Sequence, residues 1–230
     1  MKRFAASIVL LLLSAIACAE NFGTYVGRVV ATWNDDGRSM TLLEPFAYVD
    51  PNGVRWDAPA GTRIDGASIP RFAWSIVGGP FEGKYRASSV VHDVACNQRS
   101  RDWQDVHLMF HRGMLASGVD ARIALIMYAA VYHFGPRWPR EVVASIKATS
   151  TDELAALATG LTGSYRKNEQ PGQVVKTMAT RGLSDSTVVV VQYEPKRSQL
   201  SRDEFEALKV AIERQTLTIE DVENFGAARR

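Results

Sequence analysis

The stretch "KYRASSVVHDVACNQRSRDWQDVHLMFHRGML", residues 84–115, predicts two helices joined by a short turn and holds three of the four histidines. In the first helix an apolar face lies beside a mixed stripe at helical spacing. The apolar face comprises Ala87, Val90, Val91 and Val94, and the mixed stripe comprises Tyr85, Ser88, His92, Ala95 and Cys96. The second helix, from about Asp102 to Ala116, aligns Trp103, His107, Phe110 and Met114. His107 is therefore expected to face inward and to need a polar partner.

A third helix is predicted over "DARIALIMYAAVYHF", with Asp120 as its N-cap and Gly135-Pro136 as its end. Its expected buried face is Val119, Ile123, Ile126, Met127, Ala130 and Phe134.

Before the helices, residues 24–72 carry β-branched and aromatic runs broken by tight turns. Asp36-Gly37 and the segment 50–53, "DPNG", are hairpin signals, so we expect three or four antiparallel strands.

These elements predict an α+β fold, because the hairpins precede the helices instead of alternating with them. The antiparallel hairpins should pack on a bundle of about three helices within residues 85–150, forming a core domain over residues 20–150. A helix and linker are expected over 151–172, and a small strand-helix appendage over 173–230. In that appendage "STVVVVQYEP" is a predicted strand, and Ser201 and Glu204 form a capping box for a helix.

Residues 1–19 have the features of an export signal: Lys2 and Arg3, an apolar run, and small residues at the end. Cleavage before Glu20 predicts a periplasmic protein with no transmembrane segment, and lipidation of Cys18 is the alternative. The full chain has 27 basic and 25 acidic residues, so removal of Lys2 and Arg3 leaves equal numbers of the two. This balance of charge argues against nucleic-acid binding. Cys96 is then the remaining cysteine, and this excludes an intrachain disulfide framework.

A polar cluster is predicted where the helix pair meets the loop "PAGTRIDGASIPRFAW". Its candidate catalytic members are Asp65, Ser68, His92, Asp93 and His107. The sequential helices should bring the two imidazoles together, with Asp65 as the carboxylate that binds one of them. The alternative is a structural cluster of satisfied buried polar groups, with Asp65 and Ser68 as ordinary turn residues.

Metal binding is a second chemical hypothesis for this region. His107 and His111 lie at i, i+4 on one helix face, the spacing that lets two imidazoles reach one zinc ion, and His92 or Asp65 would complete the site. Asp93 is the candidate carboxylate ligand for calcium. Cys96, one turn from His92, is expected to be a core residue, with a nucleophilic role as the alternative.

Five blocks between residues 40 and 138, including "APAGTRIDGASIPRFAW" and "GKYRASSVVHDVAC", resemble the bacterial and phage family catalogued as domain of unknown function 1353. That resemblance implies a shared fold and a set of candidate residues and assigns no activity. In many members of that family an aspartate stands where this chain has His107, so the resemblance does not imply a shared role for that imidazole.

The glycine-rich turn "GGPFEGKY" before an H-D helix is also similar to the secreted phospholipase A2 enzymes. This similarity implies calcium held by loop carbonyls and Asp93, with His92 as a general base oriented by Asp65 or Asp105. The chain lacks the disulfides and the cysteine-flanked calcium loop of those enzymes.

Two functional hypotheses follow. One is a small exported hydrolase of a cell-envelope lipid or peptidoglycan, with a calcium or zinc cofactor as an option. The other is a non-catalytic envelope or phage-type assembly protein that contacts a protein partner through its C-terminal strand.

Overall fold

The computed structural model describes residues 21–66, 68, 70, 83–180, 186–197 and 200–226. The predicted export signal and most of the glycine-rich turn "GGPFEGKY" lie outside these residues. The strands are β1 Thr24–Val26, β2 Ala31–Trp33, β3 Met40–Leu42, β4 Phe46–Val49, β5 Arg55–Ala58, β6 Arg63–Ile64, β7 Arg140–Ile146, β8 Gln173–Thr180 and β9 Ser186–Tyr193. The helices are α1 Arg86–Gln98, α2 Trp103–Ala116, α3 Ala121–Phe134, α4 Thr151–Thr162, α5 Arg202–Arg214 and α6 Ile219–Asn224.

The N-terminal strands form two antiparallel three-stranded sheets, with orders β1-β4-β5 and β2-β3-β6. Both predicted hairpins are confirmed, and an aspartate stabilises each turn. The Asp36 carboxylate accepts hydrogen bonds from the N–H groups of Arg38 and Ser39, and Asp50 does the same for Asn52 and Val54. This region has six strands where three or four were expected. The predicted runs are divided into shorter strands, each two to four residues long.

Helices α1, α2 and α3 form the predicted bundle, in which α2 packs against both neighbours. The Asp120 carboxylate caps α3 by accepting from the N–H groups of Arg122 and Ile123, and Gly135 ends the helix. One core shares side chains from the hairpins and the helices, and the Tyr25 hydroxyl donates to the Gly113 carbonyl at 2.8 Å. The α+β arrangement is thus confirmed. Ile123, expected in the core, is 41% exposed.

Residues 140–146 differ from the expectation that the helical region extends to residue 150. Strand β7 occupies this segment and pairs antiparallel with β9, which is also paired with β8 on its other edge. Alternation of Val142, Ala144 and Ile146 on one face gives β7 a covered side against α4. Because β9 is the central strand, its backbone groups are already paired on both edges and are not available to a partner's sheet.

The C-terminal strand-helix region follows the bundle, as predicted, and its helices pack on α3. Helix α5 begins with the expected capping box of Ser201 and Glu204. Leu200, Phe205, Leu208, Ile212 and Val222 belong to the main core, whereas Val189, Val191 and Tyr193 form a separate small cluster in the third sheet. The His133 ring donates from Nε2 to the Val222 carbonyl at 2.9 Å. Within the described ranges no helix is both long and apolar enough to cross a membrane.

Candidate functional site

Two adjoining polar networks lie where α1 packs against α2 and against the loop that follows β6. Helix α1 supplies His92, Asp93 and Cys96, and α2 supplies His107. The two imidazoles are fully buried, Asp93 is 1% exposed and Cys96 is 3% exposed. The apolar faces predicted from the sequence place these groups in the seam, because the packing of Val90 and Val91 carries the neighbouring stripe inward with them.

The first network is a chain of two imidazoles and a carbonyl. His92 Nε2 lies 2.9 Å from His107 Nδ1, and His107 Nε2 lies 3.1 Å from the Pro136 carbonyl oxygen. A carbonyl only accepts, so His107 Nε2 carries the proton and the neutral ring accepts at Nδ1. His92 therefore donates from Nε2, and its Nδ1 holds a lone pair. The contacts thus assign both tautomers.

Both rings are held in place and kept neutral by burial. His92 stacks on Phe110 with ring centroids 4.5 Å apart, and His107 meets the edge of Trp103 at 5.6 Å. Burial, together with the neighbouring His107, holds the pKa of His92 well below its usual range. Burial also lowers the pKa of His107 to about 3, against the opposing effect of its bond to Pro136.

Within the part of the chain that the structure describes, the Nδ1 atom of His92 is buried and has no hydrogen-bond partner. The hydroxyl of Ser89, one helical turn earlier on α1, is likewise buried and unpartnered. Leaving a buried acceptor unsatisfied costs about 1–3 kcal/mol, so such atoms are uncommon in folded proteins. The i, i+3 spacing of Ser89 and His92 indicates that the two side chains lie on the same helix face, so Ser89 could have been found from the sequence. Nothing in the sequence indicates the contact with the Pro136 carbonyl.

The second network centres on Asp93 and fixes the loop after β6. One carboxylate oxygen accepts from the N–H groups of Asp65 at 2.9 Å and Gly66 at 3.3 Å. The other oxygen accepts from the buried Ser68 hydroxyl at 2.7 Å. Burial raises the pKa of Asp93, while the bonds from Ser68, Asp65 and Gly66 oppose that effect. Asp93 thus serves as an acceptor for loop donors, and both oxygens predicted to bind calcium are engaged in this way.

The structure brings together most of the predicted site residues but pairs them differently. The partner of His92 is His107, whereas an aspartate, Asp65 or Asp105, was expected. Asp105 lies exposed on α2, and Asp65 joins the site through its backbone N–H to Asp93. His107 reaches this position because it lies one helical turn before Phe110, whose ring stacks on His92.

The predicted zinc pair of His107 and His111 is not brought together at one centre. Among the described residues, His107 belongs to a group of close ligand atoms with His92 and Cys96 that does not include His111. The His111 ring packs against Tyr128 at 5.6 Å, where burial lowers its pKa to about 4. Cys96 Sγ instead lies 3.6 Å from His92 Nε2. Burial raises the pKa of the Cys96 thiol to about 12, which favours the protonated thiol at neutral pH and agrees with the core position of this side chain.

Comparison with known proteins supports the resemblance seen in the sequence. Residues 40–131 match the family model described as "Protein of unknown function (DUF1353)". The chain is 47% identical over 125 residues to the uncharacterized protein y4jT, and 43% identical over 103 residues to the uncharacterized protein y4iH, both of Sinorhizobium fredii (strain NBRC 101917 / NGR234).

These alignments cover 54% and 45% of this chain, and 37% and 43% of the two relatives. The chain therefore spans about two fifths of the length of the curated relatives it matches. No solved structure matches it. The family match contains His92, Asp93 and His107 but ends before Pro136 and the third sheet.

Proposed function

We propose that the protein is an exported hydrolase of a cell-envelope component, with His92 as its general base. The observation that carries this proposal is the buried lone pair at His92 Nδ1, which has no hydrogen-bond partner among the described residues although the other ring nitrogen is fixed by His107. A base needs a free nitrogen and a fixed ring orientation, and the chain of His92, His107 and Pro136 supplies both.

In the proposed mechanism, Nδ1 of His92 takes a proton from a water molecule as that water attacks the scissile carbonyl. The resulting imidazolium donates from Nε2 to His107 Nδ1, which stabilises the charge in a site of low dielectric. The proton then passes from Nδ1 to the leaving group. A positioned base of this kind commonly contributes about 10²- to 10⁴-fold to the rate.

Asp93 contributes to the mechanism by holding the loop rather than by ligating a cation. Its three hydrogen bonds tie the segment of Asp65, Gly66 and Ser68 to the residue next to His92. Asp93 therefore ties this part of the loop to the helix that carries the base. Because both carboxylate oxygens already accept hydrogen bonds, no step of this mechanism uses calcium.

A second candidate is the non-catalytic envelope or assembly protein, in which the same cluster is structural. The complete burial of His92 and His107 favours it, because a substrate must reach Nδ1. In that case the imidazole pair would serve only to satisfy polar atoms between α1 and α2.

His92→Gln is the substitution that separates the two candidates. The glutamine amide can still donate to His107 Nδ1, so the hydrogen bond that joins the helices is kept, whereas an amide cannot act as a base. His111→Gln is the matched control, because His111 lies on the same helix as His107 and outside the cluster.

The assay uses residues 20–230 with p-nitrophenyl acyl esters, phospholipid vesicles and isolated peptidoglycan as substrates. We expect hydrolysis of at least one substrate, a loss of about 10²-fold or more in His92→Gln, and little change in His111→Gln. Melting temperatures of both variants should stay near that of the parent protein. Hydrolysis that survives His92→Gln, or no hydrolysis together with a large fall in melting temperature, would favour the structural candidate.

A further inference from the structure

We infer that His92, Cys96 and His107 form a binding site for a single soft metal ion, Cu(I), and that the bound ion switches off the base. The second clause rests on the proposed function, whereas the metal site does not. Among the residues that the structure describes, these three are the group whose ligand atoms all lie within 4.8 Å of one another.

The spacing of the ligand atoms is close to that of a site for one ion, since all three atoms lie within 4.8 Å of one another. With metal bonds of about 2.0–2.1 Å to nitrogen and about 2.3 Å to sulfur, N and S atoms on a shared ion lie roughly 3.5–3.8 Å apart. The observed separation between His92 Nε2 and Cys96 Sγ is 3.6 Å. The two ring nitrogens, 2.9 Å apart in their hydrogen bond, would separate by about half an ångström to reach the same ion.

The surroundings of His107 are those of a metal ligand. A ligating histidine usually donates its other ring N–H to a carbonyl or carboxylate, which fixes the tautomer and ring direction. His107 donates from Nε2 to the Pro136 carbonyl and turns its Nδ1 lone pair toward His92 Nε2, and its ligand atom lies within 4.8 Å of Cys96 Sγ. The tautomer of His107 is therefore already the one that a metal ligand needs, and only the small separation of the two rings is required to admit an ion.

Charge balance selects the ion. Soft thiolate ligands favour Cu(I) and zinc, and imidazole suits both. One thiolate and two neutral imidazoles carry a single negative charge, which Cu(I) neutralises and Zn(II) exceeds by one. A fully buried site disfavours an uncompensated charge, and the group of described ligands contains no fourth residue to supply a second anion.

Binding has two definite proton consequences. The Cys96 thiol loses its proton, so one proton is released to solvent for each Cu(I) bound. The proton on His92 Nε2 must leave that atom, which becomes a ligand, and moves to Nδ1 so that the ring stays neutral. Nδ1 then has no lone pair, and His92 cannot accept a proton from water.

Competition with the chelator bathocuproine disulfonate under anaerobic, reducing conditions tests the site directly. Residues 20–230 should remove one equivalent of Cu(I) from the chelator and release one proton per ion in weakly buffered solution. The copper X-ray absorption spectrum should show one sulfur and two nitrogen neighbours. Cys96→Ser and Cys96→Ala should each weaken binding at least 100-fold, and His111→Gln should bind like the parent protein.

Circular dichroism of the two cysteine variants checks that they are folded. If one fails to fold, the other variant and the absorption spectrum of the parent protein still decide the matter. No binding, binding without a sulfur neighbour, or tighter binding of Zn(II) than of Cu(I) would overturn the inference.

Hydrolysis is measured separately on the same samples. One equivalent of Cu(I) should abolish the activity that depends on His92. Copper binding in a protein without hydrolytic activity would leave the metal site standing and defeat the proposed function. Hydrolysis by a protein that binds no copper would do the reverse.

Discussion

Replacing Asp93 by alanine should cause a large loss of stability, because one buried carboxylate satisfies three donors. The N–H groups of Asp65 and Gly66 and the hydroxyl of Ser68 would lose their acceptor. Each buried donor left unsatisfied costs about 1–3 kcal/mol; since the hydroxyl can rotate to another partner, the two N–H groups set the sum at about 2–6 kcal/mol. Removing the carboxylate also relieves its own desolvation, which places the expected value near the lower end, about 3 kcal/mol.

Asp93→Asn separates the hydrogen bonds from the charge. The amide oxygen can still accept from the two backbone N–H groups, and the Ser68 hydroxyl can turn to accept from the amide NH₂. We therefore expect a loss below about 1.5 kcal/mol for this variant. Asp105→Ala, which removes an exposed carboxylate from the next helix, is the control and should change stability by less than about 0.5 kcal/mol.

Equilibrium unfolding in urea measures these differences, with the slope of the transition compared among variants to check that two-state behaviour is kept. A loss below 1 kcal/mol for Asp93→Ala would refute the account of Asp93 as the acceptor that holds the loop. An equal loss for Asp93→Asn and Asp93→Ala, with calcium stabilising only the parent protein, would show instead that the charge serves a cation.

Three further predictions concern the core. Burial lowers the pKa of His133 to about 4 from about 6.5 in the unfolded chain, so the unfolded state binds more protons between these values. The free energy of unfolding should fall by up to about 3 kcal/mol as pH drops from 6.5 to 4. In unfolding curves measured across this pH range, His133→Gln should show a smaller fall than the parent protein. Cys96, with a pKa raised to about 12 by burial, should resist iodoacetamide in the native protein and react on unfolding, which mass spectrometry detects. Gly113→Ala would place a Cβ 2.9 Å from the Tyr25 hydroxyl and 3.1 Å from Ser88 Cβ, so calorimetry should show a destabilisation of about 1–3 kcal/mol; an unchanged melting temperature would contradict it.

The elements that the sequence predicted correctly are those decided by local chemistry. The turns at Asp36 and Asp50 and the cap at Asp120 depend on hydrogen bonds to residues two to four positions away. Strand β7 was missed because its pairing partner, β9, lies about forty residues or more later in the chain, and its alternating pattern is only seven residues long.

The site was predictable in its membership and not in its pairing. The stripe of His107 with Trp103 and Phe110 required that the ring face inward, and the short turn between α1 and α2 brought it to His92. Which acceptor each ring uses depends on differences of about an ångström between elements that are distant in sequence. The acceptor that fixes the tautomers is the backbone carbonyl of Pro136, and residue type does not indicate which backbone carbonyl a side chain will contact.

The packing of α5 and α6 on α3 has a kinetic consequence. The Tyr128 hydroxyl bonds to Glu223 across 95 residues, and His133 bonds to Val222 across 89. Contacts this distant along the chain must close a long loop before they stabilise anything, which slows folding. The hairpins and the α1–α2 pair can form early, and α3 must keep an apolar face uncovered until the distant helices dock. We expect this open intermediate to be the species on which aggregation and proteolysis act.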